Sequence, residues 1–572
     1  MKRFLALTLF VAMVLCLFSG TALGEEKRVL RIACHKDRST DFASAVFQEI
    51  GERLGCELEL TCYDEDSFAA MLTGSDVADI INYSNNIPAI LDSGIALNLD
   101  PYIDEYAPNL RCPQITQTME LSRRLQSRDG GLYLLPSCIG LHNYIWGGKQ
   151  VQYRGYVVRW DYYKELGCPE INNDDDYINI LVQMLENHPV NENCQPNYLF
   201  GGKDGFGESN LGSWAAWKVG VDANVWCQFQ YKNNIFTNDI VDGYLDVEKS
   251  VFWNSVEFLN KIYRMGYFDE DCFTMTSDEY KAKVADGRYM GLVRRESQFE
   301  NAAREEDPDS IKAYVVIPST NMNNYINIDM IMGNAPLNYS FIWKNSKNID
   351  LALGFFNIIY DPDYTRYVFC GEQGVHWDYD ENGVPYMFED AIEARRKGEG
   401  YWGKGEGNGG HGSRYSWIGG YNPAVLATDG YPIDLTLTKE NAAKLQSPSQ
   451  VDFCKEFGVD LYTEAFIAKE KDFRNDLGEA ISAAVTNIST DDQRILAACE
   501  DVVLAGLATM ITSETDEEYE SNKEDILAEL RALGEEEVFE RYKAEWNIVR
   551  DIMVDLHVQS YEARGIELYP ME

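Results

Sequence analysis

Aromatic rings set among small and amide-bearing residues are the feature of this sequence with the clearest chemical use. Of its 11 tryptophans, Trp146, Trp160, Trp214, Trp217, Trp226, Trp343, Trp377, Trp402 and Trp417 stand mostly beside Gly, Asn, Ser, Lys or Asp. A pyranose presents an apolar C–H face and a rim of hydroxyls. An indole or phenol ring covers the face, while Asn, Asp, Glu and Arg hydrogen-bond the rim. In Leu211-Gly212-Ser213-Trp214-Ala215-Ala216-Trp217, two indoles three residues apart can share one helical face. Either both meet a ligand, or Trp217 is core and only Trp214 is exposed. From Gly398 to Gly420, ten glycines in 23 residues are mixed with Tyr401, Trp402, Tyr415 and Trp417. Ligand stacking and loop packing are both open there.

Covalent chemistry has fewer supports. There is no Gly-x-Ser-x-Gly, no His-Glu-x-x-His and no phosphate loop; Gly201 to Gly207 lacks the closing Lys-Ser/Thr. The six histidines, His35, His142, His188, His376, His411 and His557, are far apart in sequence. Carboxylates are abundant, so a glycosidase pair stays open until distances are known. Asp174-Asp175-Asp176 and the Asp378-x-Asp380-Glu381-Asn382-Gly383 stretch offer oxygen ligands of the kind calcium takes. Each reads more readily as a solvated turn, and Asn382-Gly383 marks a tight one. No cofactor is expected, with calcium the one open possibility.

The setting of this chemistry is exported. Lys2 and Arg3, an apolar run from Phe4 to Phe18 and Ala22-Leu23-Gly24 read as a signal peptide over residues 1–24. A spanning helix needs about 20 apolar residues, more than this run supplies. Cys16 follows Leu15 inside the run, a poor site for lipidation, so the protein is expected to be secreted or extracytoplasmic with its anchoring open. Asp plus Glu number 93 against 50 Lys plus Arg, a net charge of -43. That field repels phosphate backbones and excludes nucleic acid as a partner. Of the 13 cysteines, all but Cys16 lie beyond the leader; buried thiols with one or two bridges are expected.

Positioning these residues requires a scaffold. Val29 to Cys34, Glu57 to Cys62 and Val77 to Ile81 read as strands, separated by amphipathic helices through Phe42, Val46, Ile50 and Leu54 and through Phe68 to Leu72. Short links between them give a parallel sheet covered by helices, an α/β arrangement. Asn85 and Asn86 then fall beyond a strand's carboxyl end, where open α/β sheets leave a binding crevice. Further strands are expected at Gly131 to Pro136, Gly155 to Arg159 and Ala313 to Ile317. Helices are expected from Tyr177 to Leu185 and Ile349 to Tyr360, and along a buried stripe of Val538, Tyr542, Trp546, Val549 and Met553. The acidic run from Glu514 to Glu545 reads as a solvated helix face.

Several stretches together resemble the extracellular solute-binding proteins of bacterial ABC importers, in particular the large sugar-binding group. They are Leu72 to Ile80, Leu97-Asn98-Leu99-Asp100-Pro101-Tyr102-Ile103 to Asn109, Gly131 to Pro136, Val157 to Gly167 and Lys344 to Tyr360. Gly371-Glu372-Gln373-Gly374-Val375-His376-Trp377 to Gly383 is the most specific, and Glu537 to Asn547 the last. The resemblance implies a two-lobed, periplasmic-binding-protein-like α/β fold with a hinge and an interlobe cleft. It places residues 27–154 with 318–375 in lobe 1, residues 155–317 with 425–572 in lobe 2, and 376–424 in an inserted or linking region. The chain would cross between lobes near 155–159, near 314–318 and after the helix ending at Tyr360.

It further implies a monomer that captures an oligosaccharide and delivers it to ABC permease subunits, with no catalytic step. The wall candidates are Asn85, Asn86, Trp146, Arg159, Trp214, Trp217, Glu296, Trp377 and Trp417. Arg159 is alternatively a salt bridge at the lobe boundary, and Glu296 an ordinary exposed residue. The rival classes are a secreted glycoside hydrolase or lyase and a carbohydrate-binding surface protein without a transport role.

Overall fold

The computed structural model describes residues 27–564 except 36–44, 74–77, 84–86, 138, 140–153, 203–220, 224–227, 233–239, 322, 327–338, 397–419, 424, 470, 475–480, 482–483 and 486–487. The expected leader therefore lies outside the described residues.

Strands β1 (Arg28–His35), β2 (Cys56–Tyr63) and β3 (Ile80–Tyr83) form where the period-two pattern predicts, with β1 parallel to both neighbours. The sheet is completed by β13 (Tyr339–Ile342), antiparallel to β3, and by β4 (Leu135–Pro136), in the order β2-β1-β3-β13-β4. Alternation sends side chains to two separate cores. Leu30, Ile32, Cys34, Ile80 and Ile342 pack under the helices Ala45–Leu54 and Ile349–Ile359, where Phe47 and Phe355 stack at 6.1 Å. Ala33, Ile81 and Phe341 face the opposite core with Phe68, Ile87 and Ile90. β2 is the edge strand, and its exposure rises along one face from buried Cys56 to exposed Cys62. Cys62 is thus not the buried thiol the alternation suggested.

A second, mixed sheet has the order β11 (Tyr314–Ile317), β5 (Arg154–Arg159), β10 (Tyr289–Arg294), β6 (Tyr198–Gly201). Here β5 runs antiparallel to β11 and β10, and β6 parallel to β10. The helix Asp174–Asn187 packs closely on it. A Cβ at Gly291 would collide with the Tyr177 hydroxyl and Leu181, and that hydroxyl donates to Val157 O at 2.5 Å. The core of this body takes in the helices Val251–Arg264 and Pro448–Phe457 and parts of Thr490–Ile511 and Asp516–Leu533.

Small two- and three-stranded pieces complete the described strands. They are β7 (Val221–Ala223), β8 (Phe229–Lys232) and β9 (Ile240–Asp242); β12 (Asn323–Ile326) with β16 (Lys471–Arg474); and the hairpin β14 (Trp377–Tyr379) and β15 (Pro385–Met387).

Three expectations about chain routing are corrected. Residues 376–424 are not a separate insert in their described parts: Trp377, Met387, Ile392 and Tyr421 belong to the first core. Residues 425–435 belong there too, through Val425, Ile433 and Leu435, so the third crossing falls near 445–448 instead of directly after Tyr360. Finally, the helix Glu535–Arg564, expected in lobe 2, contributes Phe539, Tyr542, Trp546, Val549, Met553 and Leu556 to the core that also takes in the second face of the lobe 1 sheet, with Phe539 and Tyr542 stacked on Phe229 of β8. At 30 residues it is about 45 Å long. Its first turns meet the helix Thr490–Ile511 through Arg541 and Asp492, and its last turns meet Thr116–Leu125 through Asp555 and Arg124. An amphipathic stripe fixes which helix face is buried but carries no information about the surface it meets.

Ten cysteines lie among the described residues, Cys34, Cys56, Cys62, Cys112, Cys168, Cys194, Cys272, Cys370, Cys454 and Cys499, and no bridge joins any two of them. No described helix is long and apolar enough to cross a membrane.

Candidate ligand-binding edges at the strand carboxyl ends

Strand direction decides where a ligand can be met. In lobe 1, the parallel strands β1, β2 and β3 end at His35, Tyr63 and Tyr83. β13 begins on the same edge, since Tyr339 pairs with Tyr83. In lobe 2, β6, β10 and β11 end together at Gly201, Arg294 and Ile317, beside the start of β5. The chain passes between the sheets from Pro136 to Arg154 and from Ile317 to Tyr339, so both passages join one carboxyl-end edge to the other.

The lobe 1 edge carries ordered polar groups. The His35 ring lies edge-on to Tyr63 at 5.9 Å, and the Tyr63 hydroxyl donates to Asn82 O at 2.5 Å. Asn82 Nδ2 donates to Ser340 Oγ at 3.1 Å, which ties β3 to β13. Asn85 and Asn86 follow this edge in sequence but lie outside the described residues. On the lobe 2 edge, Arg294 Nε donates to Glu296 at 2.7 Å; the carboxylate side chain is 11% exposed and the guanidinium side chain 43%. Nearby in the fold, the Tyr156 hydroxyl donates to Asp174 at 2.9 Å and accepts from Asn321 Nδ2 at 3.3 Å. Burial, reinforced by Asp174, pushes the Tyr156 phenol far above its usual range, so it remains a donor across physiological pH.

The wall candidates separate into three groups. Glu296 is on the lobe 2 edge as expected from its place after a strand. Trp146, Trp214, Trp217 and Trp417, with Asn85 and Asn86, lie outside the described residues. Arg159 and Trp377 are placed elsewhere. Because β5 runs antiparallel to its neighbours, Arg159 pairs with Tyr314 at the far end of the sheet. It is 1% exposed, donates to Asp161 and to Gly287 O (2.6 Å), and lies 3.6 Å from the Tyr162 ring centroid. All its donors are spent inside lobe 2, which makes it the salt bridge instead of a wall. Trp377 is folded inward by its hairpin, opposite Met387, and donates to Gly371 O at 3.1 Å. It is a core residue of lobe 1. His35, Tyr63, Arg294 and Asn321 were missed, although the rule applied to Asn85, a polar residue at a strand's carboxyl end, would have found the first three.

The first calcium candidate does not fit the ion. Asp174 accepts from Tyr156, Asp175 pairs with Lys261, and Asp176 accepts from Asn172 N, so the three carboxylates serve different partners. They occupy the first turn of a helix capped by Asn173, where the helix dipole favours negative charge. The second keeps its spacing: Glu389 completes a calcium loop from Asp378, with Asp378 on β14, Asp380 and Asn382 in the turn that follows, and Glu389 opening the helix Glu389–Arg396. Asp380 there accepts the N–H groups of Asn382 and Val384 at 2.8 Å each, which holds its carboxyl below the usual carboxylate range. No group of three or more His, Cys, Asp or Glu among the described residues is placed to hold a metal. Replacing Asp380 by Ala is expected to lower the melting temperature modestly in EDTA, because the two turn bonds are lost; a paired thermal scan in calcium measures whether the same loop also holds the ion, by a further stabilisation that the variant lacks.

No family model matches the chain, and no curated protein matches it. Solved structures do. An HMO-binding, ABC-transporter-associated solute-binding protein from Bifidobacterium longum infantis is similar at a TM-score of 0.59 and 16% identity, over 92% of this chain and 99% of that one. An EF-hand mutant of an ABC-transporter substrate-binding protein from S. pneumoniae, in complex with fructo-nystose, gives 0.59 and 15% over 92% and 100%. An alginate-binding protein without calcium ion gives 0.57 and 15% over 92% and 99%. Nearly the whole described chain thus follows the path of these proteins, and its fold is the two-lobed α/β fold of solute-binding proteins.

Proposed function

We propose that the protein captures a carbohydrate outside the cytoplasm, an oligosaccharide, and delivers it unaltered to an ABC permease by closure of its two lobes. The observation that carries this reading is the routing: two connections join the carboxyl-end edges of two sheets, and each edge bears ordered polar side chains. Of the proteins with this fold, one is solved in complex with fructo-nystose and another is an alginate-binding protein, which supports the carbohydrate class. On one edge, Arg294 and Glu296 together present donors and acceptors, the pairing a hydroxyl rim requires. A solute touching both edges favours the closed form through contacts that the open form lacks.

The reading needs no catalytic step. Glu296 pairs with a guanidinium and Asp174 accepts from a phenol, so both carboxylates have structural partners. Asn85, Asn86, Trp146, Trp214, Trp217 and Trp417 remain proposed wall residues, with the aromatic ones stacking on sugar faces. Export by the leader and a monomeric state belong to the same proposal.

A thermal-shift screen of plant, mucin and host-glycan oligosaccharides tests it, because a ligand at about 100 times its Kd stabilises the folded state by about 2.7 kcal/mol. Multiple turnover of a hit would establish a hydrolase or lyase in place of a carrier. Arg294→Ala is expected to weaken the best hit at least tenfold, about 1.4 kcal/mol by calorimetry. The same variant should change the stability of the free protein by less than about 1 kcal/mol, since the pair is partly solvated. Undiminished affinity would remove Arg294 from the site.

A further inference from the structure

Lobe 1 also holds a cavity of about 380 Å³ at the opposite edge of its sheet. Lys344 on its rim follows β13, whose Ile342 pairs with Ile80 at the start of β3, whereas the ligand edge lies at Tyr83. The volume is in the range of small-molecule sites. Ile90, Ala96 and Leu97 are buried in the wall and Leu91 is half-buried. Glycine shapes the other side. A Cβ at Gly131 would sit 2.6 Å from Asn98 Nδ2 and 2.9 Å from the Tyr133 ring, so its absence lets that amide and ring line the cavity together.

The polar groups here are almost all committed to each other. Asp129 accepts from the Tyr133 hydroxyl at 2.8 Å and from Gly131 N at 2.9 Å. Arg128 donates to Asp92 through Nη2 and Nε. The Lys344 ammonium has no hydrogen-bond or ion-pair partner among the described residues, and it lies 3.8 Å from where a Gly94 Cβ would stand. A saccharide would find few partners for its hydroxyls on these walls. The one charged group on these walls without a partner among the described residues is thus the Lys344 ammonium, set beside an apolar wall.

We propose that this cavity is a second ligand site, separate from the strand-end edges, for a small monocarboxylate with a compact apolar body. The carboxylate pairs with Lys344, and the hydrocarbon portion replaces water against Ile90, Leu91 and Leu97. Phenylacetate and its neutral analogue phenylacetamide serve as probes, titrated by NMR or calorimetry into the full-length exported protein. Phenylacetate is expected to bind at least fivefold more tightly than the amide. Lys344→Gln, at an exposed position, should abolish that preference while the melting temperature stays unchanged. Arg294→Ala should leave phenylacetate binding intact, which separates failure of this site from failure of the oligosaccharide reading. Absence of binding up to about 10 mM, a Kd weaker than about −2.7 kcal/mol, would overturn the proposal. So would an undiminished preference in Lys344→Gln or loss of binding in Arg294→Ala.

Discussion

Raising the pH from about 4.5 to about 8 should steadily destabilise this protein, and Glu535→Gln should remove most of that loss. Glu535 opens the last helix and is fully buried, against the expectation that the acidic run is uniformly solvated. Burial, followed by the charge of Asp242, pushes its carboxyl from 4.5 up to about 8. Gln228 donates to one carboxyl oxygen at 3.2 Å, Cys499 lies within hydrogen-bonding reach, and Oε2 has no partner. A carboxyl whose pKa is raised on folding holds its proton more tightly in the folded state. The resulting stability is complete below the unfolded value and is gone once pH passes the folded one. At about 1.4 kcal/mol for each tenfold change in proton affinity, the span corresponds to about 4–5 kcal/mol. Asp242 is itself raised by burial, with Asp246 and Glu536 adding repulsion, and so contributes with the same sign. Urea unfolding at several pH values across this window, on the parent and the glutamine variant, measures the slope directly. Equal slopes in the two proteins would show that Glu535 ionises freely in the folded state.

Trp377→Ala should act on folding and leave ligand recognition alone. Trp377 is 7% exposed within the lobe 1 core, with its Nε1 bonded to Gly371 O and the Arg366 guanidinium 5.3 Å from its ring centroid. Removing such a side chain leaves a cavity and costs about 3–5 kcal/mol. The molecules that remain folded should hold oligosaccharide within about twofold of the parent, under 0.5 kcal/mol. A variant of parental stability that no longer binds would restore the wall role.

How much of this was legible in the sequence depends on range. β1, β2 and β3 follow from alternation and short links, and Glu296 follows from its place after β10. The stripe from Val538 to Met553 is likewise buried throughout. What sequence did not carry was orientation and partnership. Arg159 reads as a boundary residue because it precedes Trp160 and a helix; only the antiparallel pairing of β5 sends it to the far edge. Trp377 reads as exposed because its neighbours are polar, and the cross-strand pair with Met387 turns it inward. Asp380 has calcium-loop neighbours, and the two backbone N–H groups that one of its oxygens accepts make the turn the sequence also offered. In each case a local signal named the residue but not its distant contact.

The C-terminal helix has a consequence for the order of assembly. Ala33 in the first strand, Phe68, Ile87 and Leu121 in early helices, and residues 539–556 share one core, so that core is complete only when the C-terminal helix has joined it. Contacts this far apart in sequence form late, because closing the intervening chain costs entropy before the contact repays it. A chain of this design is slow to lock its N-terminal half. The C-terminal helix acts as a clasp that fastens late.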